Sequence, residues 1–359
     1  MPPLSKRIRH SYAAAATATA AHAPSPPSSP MPPPPLPLTG ATIRAAVEAA
    51  VAAGGPGYAH PVYGPIAGWD VSAVTTMDCM FKDAFAFNGD LSGWDVRNVT
   101  TMASMFAYAD AFNGDLSGWD VRNVTDMEWM FADAEAFNGD LSGWDVRNVT
   151  TMESMFSGAA AFNGDLSGWD VRNVTTMECM FEDAAAFNGD LSRWDVRNVT
   201  DMGAMFESAR AFNGDLSRWD VRNVVNRGLM FQGAEAFSGD LSGWDVRNVT
   251  DMRSMFEEAK AFNGDLSRWN VRKVRNVSDM LEGAHAFGEA LSLKLLGRLR
   301  ACDPHFRRNG RWLWRLARRL VRPHARTRAI AYHWMGLAAR PDAAGNAPRG
   351  AIQAFCDDF

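Results

Sequence analysis

Tryptophan stands at positions 69, 94, 119, 144, 169, 194, 219, 244 and 269, every interval being 25 residues, and a fixed period of this length must be read before any local motif. Nine units fill residues 69–292. Counted from its Trp as offset 0, each follows the frame W-D-V-R-N-V-T-x-M-x-x-M-F-x-x-A-x-A-F-N-G-D-L-S-x, and Val at offsets 2 and 5, Ala at 15 and Phe at 18 occur in all nine. A length of 359 residues would by itself divide into two or three globular domains, but a 25-residue period is that of one supersecondary element stacked on its neighbours.

Within a unit, Met at offsets 8 and 11, Phe at 12 and Ala at 15 follow the i, i+3, i+4, i+7 spacing of an amphipathic helix, as in Met152, Met155, Phe156 and Ala159. Thr at offset 6 stands where an N-cap is needed, and Glu follows three residues later in Thr125 to Glu128, Thr150 to Glu153 and Thr175 to Glu178. Phe-Asn-Gly-Asp then ends the helix, and Leu-Ser-x-Trp-Asp-Val reads as a short strand with Trp and Val on one side and Asp and Arg on the other. The expected fold class is therefore an α/β solenoid: about nine strand-turn-helix repeats, stacked in parallel at about 4.8 Å per rung into an elongated rod of roughly 45 Å. Sixteen of the 19 Met and 17 of the 21 Phe belong to its interior columns, so the Met and aromatic stripe is read as core packing.

The unit VTTMESMFSGAAAFNGDLSGWDVRN, from Val149, resembles the 25-residue repeat of BspA-like leucine-rich-repeat surface proteins, a type found also in mycoplasma lipoproteins. Val174, Thr175, Met177, Met180, Phe181, Ala184, Phe187, Asn188, Asp190, Leu191, Ser192, Trp194, Asp195 and Val196 carry that pattern in one unit. The resemblance covers about 224 residues. It implies a leucine-rich-repeat-like scaffold for adhesion or recognition, located outside the cell or on its surface. Residues 42–68, with Ile43-Arg-Ala-Ala-Val-Glu-Ala-Ala-Val and Tyr63-Gly-Pro-Ile-Ala-Gly-Trp69, are similar to the lead-in of such proteins and are expected to form an N-terminal helical cap.

Two units depart from the frame. In the seventh, Val225, Asn226 and Arg227 replace Thr, Thr or Asp, and Met; Arg227 arrives at a core position and is expected to snorkel outward. In the ninth, Asn270, Lys273, Val277, Leu281, Gly288, Glu289 and Ala290 replace the consensus, as in a terminal repeat. Outside the repeats, residues 1–41 form a basic, then Ala/Thr-rich, then Pro-rich leader and linker, for which a secretion signal, a transit peptide and a plain tail all remain open. Residues 293–359 hold 14 Lys+Arg against 4 Asp, whereas residues 69–292 hold 18 against 36. The basic segment contains Arg311-Trp-Leu-Trp-Arg-Leu-Ala-Arg-Arg-Leu-Val321, which can form a cationic helix suited to docking on the acidic repeats, to peripheral contact with an anionic membrane, or to phosphate backbones. The acidic remainder would repel nucleic acid. No apolar run reaches the roughly 18 residues that a transmembrane helix needs.

Chemistry-bearing constellations are sparse. Of seven His only His285 lies in the repeats, no Gly-rich phosphate loop occurs, and no catalytic residue or cofactor site is assigned. Cys302, His305, His324, His333 and Cys356 are too irregularly spaced for a zinc set, and Cys79 and Cys179 complete a cysteine count that gives no disulfide framework. The Asp columns at offset 21 (Asp90 to Asp265) and offset 1 admit calcium between rungs, against the alternative of turn closure and neutralisation by the neighbouring Arg column; no metal is assigned. Seven N-glycosylation sequons arise at Asn98, Asn123, Asn148, Asn173, Asn198, Asn248 and Asn276. Offsets 9, 10, 13, 14 and 16 vary freely and lie off the apolar stripe. A protein or glycan partner is expected to meet Tyr108 and Trp129 on that side, and the charged pairs Asp95 and Arg97, Asp120 and Arg122, Asp145 and Arg147 on the strand face.

Overall fold

The computed structural model describes residues 38–53 and 59–287. The leader and the basic C-terminal segment, with the expected cationic helix and Cys302, His305, His324, His333 and Cys356, lie outside the described residues.

The one α-helix among the described residues is α1, Gly40–Ala52. The Thr39 N–H donates to Thr42 Oγ1 at 2.9 Å while the Thr39 carbonyl accepts from the Ile43 N–H at 2.9 Å, which fixes the start of the helix. Ile43, Ala46, Val47 and Ala50 form its buried stripe and join the core of the repeats. Two bonds hold α1 to the first unit: the Leu38 N–H to the Asp70 carbonyl and Arg44 Nη2 to the Asp78 carbonyl, both 2.8 Å. A two-stranded antiparallel hairpin, β1 (Ala59–His60) and β2 (Gly64–Pro65), then leads to Trp69, whose Nε1 donates to the Gly64 carbonyl.

From Trp69 onward, consecutive units lie directly against each other. Isolated parallel bridges link Thr76 to Thr101, Thr101 to Asp126 and so on to Asn276, each joining offset 7 of one unit to offset 7 of the next. Around each bridge runs a regular set of backbone bonds. The N–H groups of Met127, Trp129, Phe131 and Asp133 donate to the carbonyls of Thr151, Glu153, Met155 and Ser157 in the following unit at 2.6–3.4 Å. The intervening N–H groups of Met130, Ala132 and Ala134 turn back onto the carbonyls three residues earlier. Alternate donors thus leave the unit and alternate donors close tight turns.

This pattern corrects the strand-turn-helix unit expected from the sequence: residues 69–287 contain no helix, and the Leu-Ser-x-Trp-Asp-Val segment carries no bridge. An α-helix with its side chains is about 10 Å across, so helices cannot sit on the same segment whose backbones bond directly across a spacing of about 4.8 Å. The apolar residues at offsets 8, 11, 12 and 15 still point inward, but tight turns carry them there. Those turns need positive φ at offsets 10 and 14: Cys79 and Asp83, Ser104 and Tyr108, Trp129 and Asp133, Ser154 and Gly158, with φ between 51° and 68°. Each non-Gly residue so placed costs about 1–2 kcal/mol. Burial of a Phe, Met or Leu side chain contributes roughly 1.5–3 kcal/mol, and every unit buries several, so packing wins. Thr at offset 6 is likewise no N-cap. The Thr100 hydroxyl and N–H both donate to the Thr75 carbonyl one unit back, and the same holds for Thr125, Thr150, Thr175 and Thr200.

The interior is a set of like-on-like columns. Trp119 and Trp144 stack at 6.4 Å with rings 1° from parallel, Phe106 and Phe131 at 5.5 Å, Phe112 and Phe137 at 6.0 Å, while Phe131 and Phe137 meet within a unit at 4.0 Å. From Trp94 to Trp269 each buried indole finds its partner 28 residues back, as Trp144 Nε1 does on the Leu116 carbonyl at 3.0 Å, so the column satisfies its only polar atom. In the ninth unit Val277 and Leu281 replace Met and Phe and remain in the core.

Arg227 overturns the expectation that it snorkels outward. It is fully buried, its Nη2 donates to the Val221 carbonyl, its Cζ lies 5.5 Å from the Trp244 ring centroid, and its Nε and Nη1 have no partner. Burial pushes the guanidinium down to about 9. The units above and below leave no gap through which its side chain could reach water, so it keeps the Met position with a cation–π contact and one carbonyl as compensation. Arg227→Met, which restores the residue of the neighbouring units, is expected to raise the unfolding free energy by about 1–4 kcal/mol. A urea midpoint unchanged by the substitution would show that the buried charge is costless.

Candidate interaction surface

The Asp and Arg pairs of offsets 1 and 3 form within a unit rather than across units. Arg97 Nε meets Asp95 Oδ1 at 2.8 Å, Arg122 meets Asp120 at 2.7 Å and Arg147 meets Asp145 at 2.8 Å; the pattern continues to Arg247 and Asp245. The Arg97 N–H also donates to Asp95 Oδ1 at 3.3 Å, so the carboxylate closes a local turn while it holds the guanidinium. The Arg97 hydrogen bond keeps the Asp95 carboxyl below its ordinary range, and Arg147 does the same for Asp145. With the Arg side chains about 66% exposed, each pair contributes at most about 1 kcal/mol to stability. What the pairs build is a regular row of oriented guanidinium groups facing solvent.

The remaining conserved-looking polar positions are committed to the frame. Asn123 Nδ2 donates to the Arg97 carbonyl and Asn148 Nδ2 to the Arg122 carbonyl, both at 2.8 Å, while the Thr hydroxyl in five of the six Asn-Val-Thr tripeptides bonds one unit back as described. The repeated sequon is therefore a structural signature: both of its polar side chains are interunit clamps. At offset 19 the Asn138 N–H donates to Asn113 Oδ1 at 2.9 Å, forming an amide ladder that runs from Asn88 to Ser238. At offset 21 Asp90 Oδ1 accepts from both the N–H and the hydroxyl of Ser92, at 2.9 and 2.7 Å, and those bonds lower its pKa. The Asp columns thus close turns, and among the described residues no group of three His, Cys, Asp or Glu side chains stands close enough to hold a metal ion.

The variable side of the units, offsets 9, 10, 13, 14 and 16, is less open than its position off the apolar stripe implied. Tyr108 and Trp129 are half-buried, both at positive φ, and their N–H groups donate to Ala132 and Glu153 of the next unit. Ala107, Ala132, Ser154 and Ser254 on the same side are buried outright. The two aromatics occupy neighbouring units on one segment, separate from the Asp and Arg row. Sequence reasoning passed over a third feature there. Acids recur in register, Glu128, Glu153 and Glu178 at offset 9 and Glu182, Glu207 and Glu257 at offset 13, and their 25-residue spacing was the available signal. Partial burial and then the carboxylates of Glu182, Asp183 and Glu257 push Glu207 up to about 7, with Arg253 opposing; burial and neighbouring acids also raise Glu153, Glu178 and Asp133. Burial and Glu182 raise the Cys179 thiol, which keeps it protonated and unreactive.

A family described as Mycoplasma protein of unknown function, DUF285, matches residues 58–157, 114–215, 135–241 and 190–294, which together span 58–294. The chain belongs to the DUF285 family. The first of these matches covers 100 residues, four periods of 25, so the DUF285 unit of recognition is itself a run of repeats. No curated protein matches the chain. The DUF285 match includes the hairpin and all nine Trp positions, and α1 lies before it.

The two kinds of carboxylate in these DUF285 repeats set opposite pH dependences. Groups with a raised folded-state pKa, Glu207 foremost, bind protons more tightly in the folded chain, so stability is highest with them protonated and is lost as pH rises from about 4.5 toward 7. The offset-21 aspartates, held low by Ser, act in the other direction and lose their contribution as pH falls below 3.8. The thermal midpoint is expected to peak between these limits. Glu207→Gln, matching Gln232 one unit on, should flatten the decline between pH 4.5 and 7 and leave the acid limb unchanged; identical slopes in both proteins would remove Glu207 as its cause.

Proposed function

We propose that the chain is a non-catalytic recognition or adhesion scaffold: a leucine-rich-repeat-like solenoid whose surface binds protein or glycan partners outside the cell. The observation that carries this reading is the division of labour within each unit. Thr, Asn, Asp, Ser and Trp side chains are spent on turns and interunit bonds, while offsets 9, 10, 13, 14 and 16 change from unit to unit on an unchanging backbone. A frame that accepts varied side chains at fixed places suits recognition, in which specificity is a pattern of side chains on a rigid support. The BspA-like resemblance of the repeat supports the same class and a surface location.

Half-buried Tyr108 and Trp129 are the anchors of that surface, because aromatics that retain an exposed part dominate interface energetics. Both can be removed with precedent from the same chain: Ala204 occupies offset 10 at φ 53°, and Ser208 occupies offset 14 at φ 54°. Trp129→Ala with Tyr108→Ser is expected to keep a cooperative unfolding transition and to weaken binding by at least about tenfold, equivalent to about 1.4 kcal/mol. The readout is retention on arrays of matrix proteins and glycans, with wild type alongside. Binding unaffected by the double substitution would discard the aromatic site. Complete protection of the chain from an impermeant biotin reagent in intact cells would discard the surface adhesin and leave the second reading, an intracellular scaffold whose basic C-terminal segment contacts anionic membrane or the acidic repeats.

A further inference from the structure

The ninth unit differs from the other eight in one direction. Where five of the earlier eight units read Gly-Trp-Asp-Val-Arg-Asn-Val-Thr, the start of the ninth reads Arg268-Trp-Asn-Val-Arg272-Lys273-Val-Arg275; Arg also precedes Trp in the sixth and seventh units, as Arg193 and Arg218. Four replacements, Gly to Arg, Asp to Asn, Asn to Lys and Thr to Arg, each add one positive charge, and all four side chains are exposed. The loss of Asp at offset 1 matters most. In the second to eighth units that carboxylate holds the Arg of offset 3, whereas Arg272 faces Asn270 and has no ion pair among the described residues. Lys273 reaches only a neutral acceptor, Asn248 Oδ1 at 2.9 Å, and the nearest carboxylate along the segment, that of Asp265, sits beside Arg268. Residues 265–277 therefore hold four cations and one carboxylate; the matching stretch of the third unit, 115–127, holds one cation and three.

A terminal unit needs a polar outer face for solubility, but that need does not choose a sign. The sign follows a gradient. Units one to five, residues 69–193, hold 21 acids and 6 bases, and residues 194–292 hold 15 and 12. The most acidic unit, 119–143, is six steps from the ninth, roughly 29 Å at about 4.8 Å per step. That is between three and four screening lengths at physiological ionic strength, so its acids do not neutralise the patch, while in the adjacent eighth unit Asp245 is held by Arg247 and Asp265 sits beside Arg268. Residues 194–292 remain net acidic as a whole, so the feature is local: one edge with four exposed cations on an otherwise acidic chain, which turns that edge toward an extended anionic surface.

We propose that the exposed edge where the eighth unit meets the ninth, Arg268, Arg272, Lys273 and Arg275, is a docking surface for an anionic lipid bilayer. The line of cations along one edge fits a flat array of headgroups, each basic residue near such a surface adding about fivefold to the partition coefficient. This goes beyond the recognition reading, which rests on Tyr108 and Trp129 in other units. The test compares the full chain with the full chain carrying Arg268→Gly, Asn270→Asp, Lys273→Asn and Arg275→Thr, a reversion to the sequence of the preceding units and so to residues the frame already accommodates. Sedimentation with phosphatidylcholine vesicles containing phosphatidylglycerol should show binding that weakens with salt and falls at least tenfold on reversion. Equal binding of the two proteins would place the contact in the basic C-terminal segment and overturn the proposal. Equal binding to pure phosphatidylcholine would overturn the charge mechanism, and retention on a sulfated polysaccharide without vesicle binding would reassign the edge to another partner.

Discussion

The direct backbone hydrogen bond between corresponding positions of consecutive units is the constraint on which the rest of this structure depends. Once the Trp129 and Phe131 N–H groups donate to Glu153 and Met155, every element of the unit must fit within a single interstrand spacing. That excludes helices, forces the compact turns with positive φ at offsets 10 and 14, and sets each side chain above its own counterpart. The columns of Trp, Phe, Met, Val and Leu follow, as do the Asn and Thr clamps, because a polar side chain in register meets the same carbonyl in every unit.

Much of this was legible in the sequence. The 25-residue Trp period gave the units and their register, and the Trp, Val, Met and Phe columns expected inside are found inside, joined by Arg227 and by residues of the variable side such as Ala132 and Ser154. The helix was misread because the spacing 3, 4, 7 belongs to any chain that turns back every three to four residues. Dihedral demand would have separated the two. Offsets 10 and 14 hold Cys, Ser, Trp, Asp, Tyr, Ala, Leu, Glu and Gly but never Val, Ile or Thr, and offset 14 is Gly in Gly158, Gly233 and Gly283. A helix face has no reason to exclude β-branched residues from two fixed positions; left-handed backbone does. The same logic governs the capping pattern. Thr three residues before Glu looks like a capping box, yet the Thr hydroxyl was needed by the unit below.

The surface was legible only in part. Pairing of Asp and Arg at offsets 1 and 3 could be read from their spacing, whereas the half-burial of Tyr108 and Trp129 could not, since it depends on turn geometry that the helix reading had wrong. Arg227 shows the limit of a local rule. Long cationic side chains snorkel when the path to water lies along an open face, but a side chain between two bonded units has neighbours above and below and only the core ahead. The guanidinium was therefore retained inside, over Trp244, with two donors unmatched.

Such a frame also determines where change can accumulate. The apolar positions that fill the columns are nearly identical in nine units, so divergence is concentrated at offsets off that stripe and in the terminal unit, and there it acts mostly on charge. In the first five units it adds carboxylates, and in the sixth burial, followed by the neighbouring carboxylates of Glu182 and Asp183, raises Glu207. In the ninth it removes the Asp that holds Arg272 and adds cations beside it. Because the backbone turns are the same at both places, turn geometry does not require these differences. They are electrostatic properties of the surface, laid out along the chain by position alone.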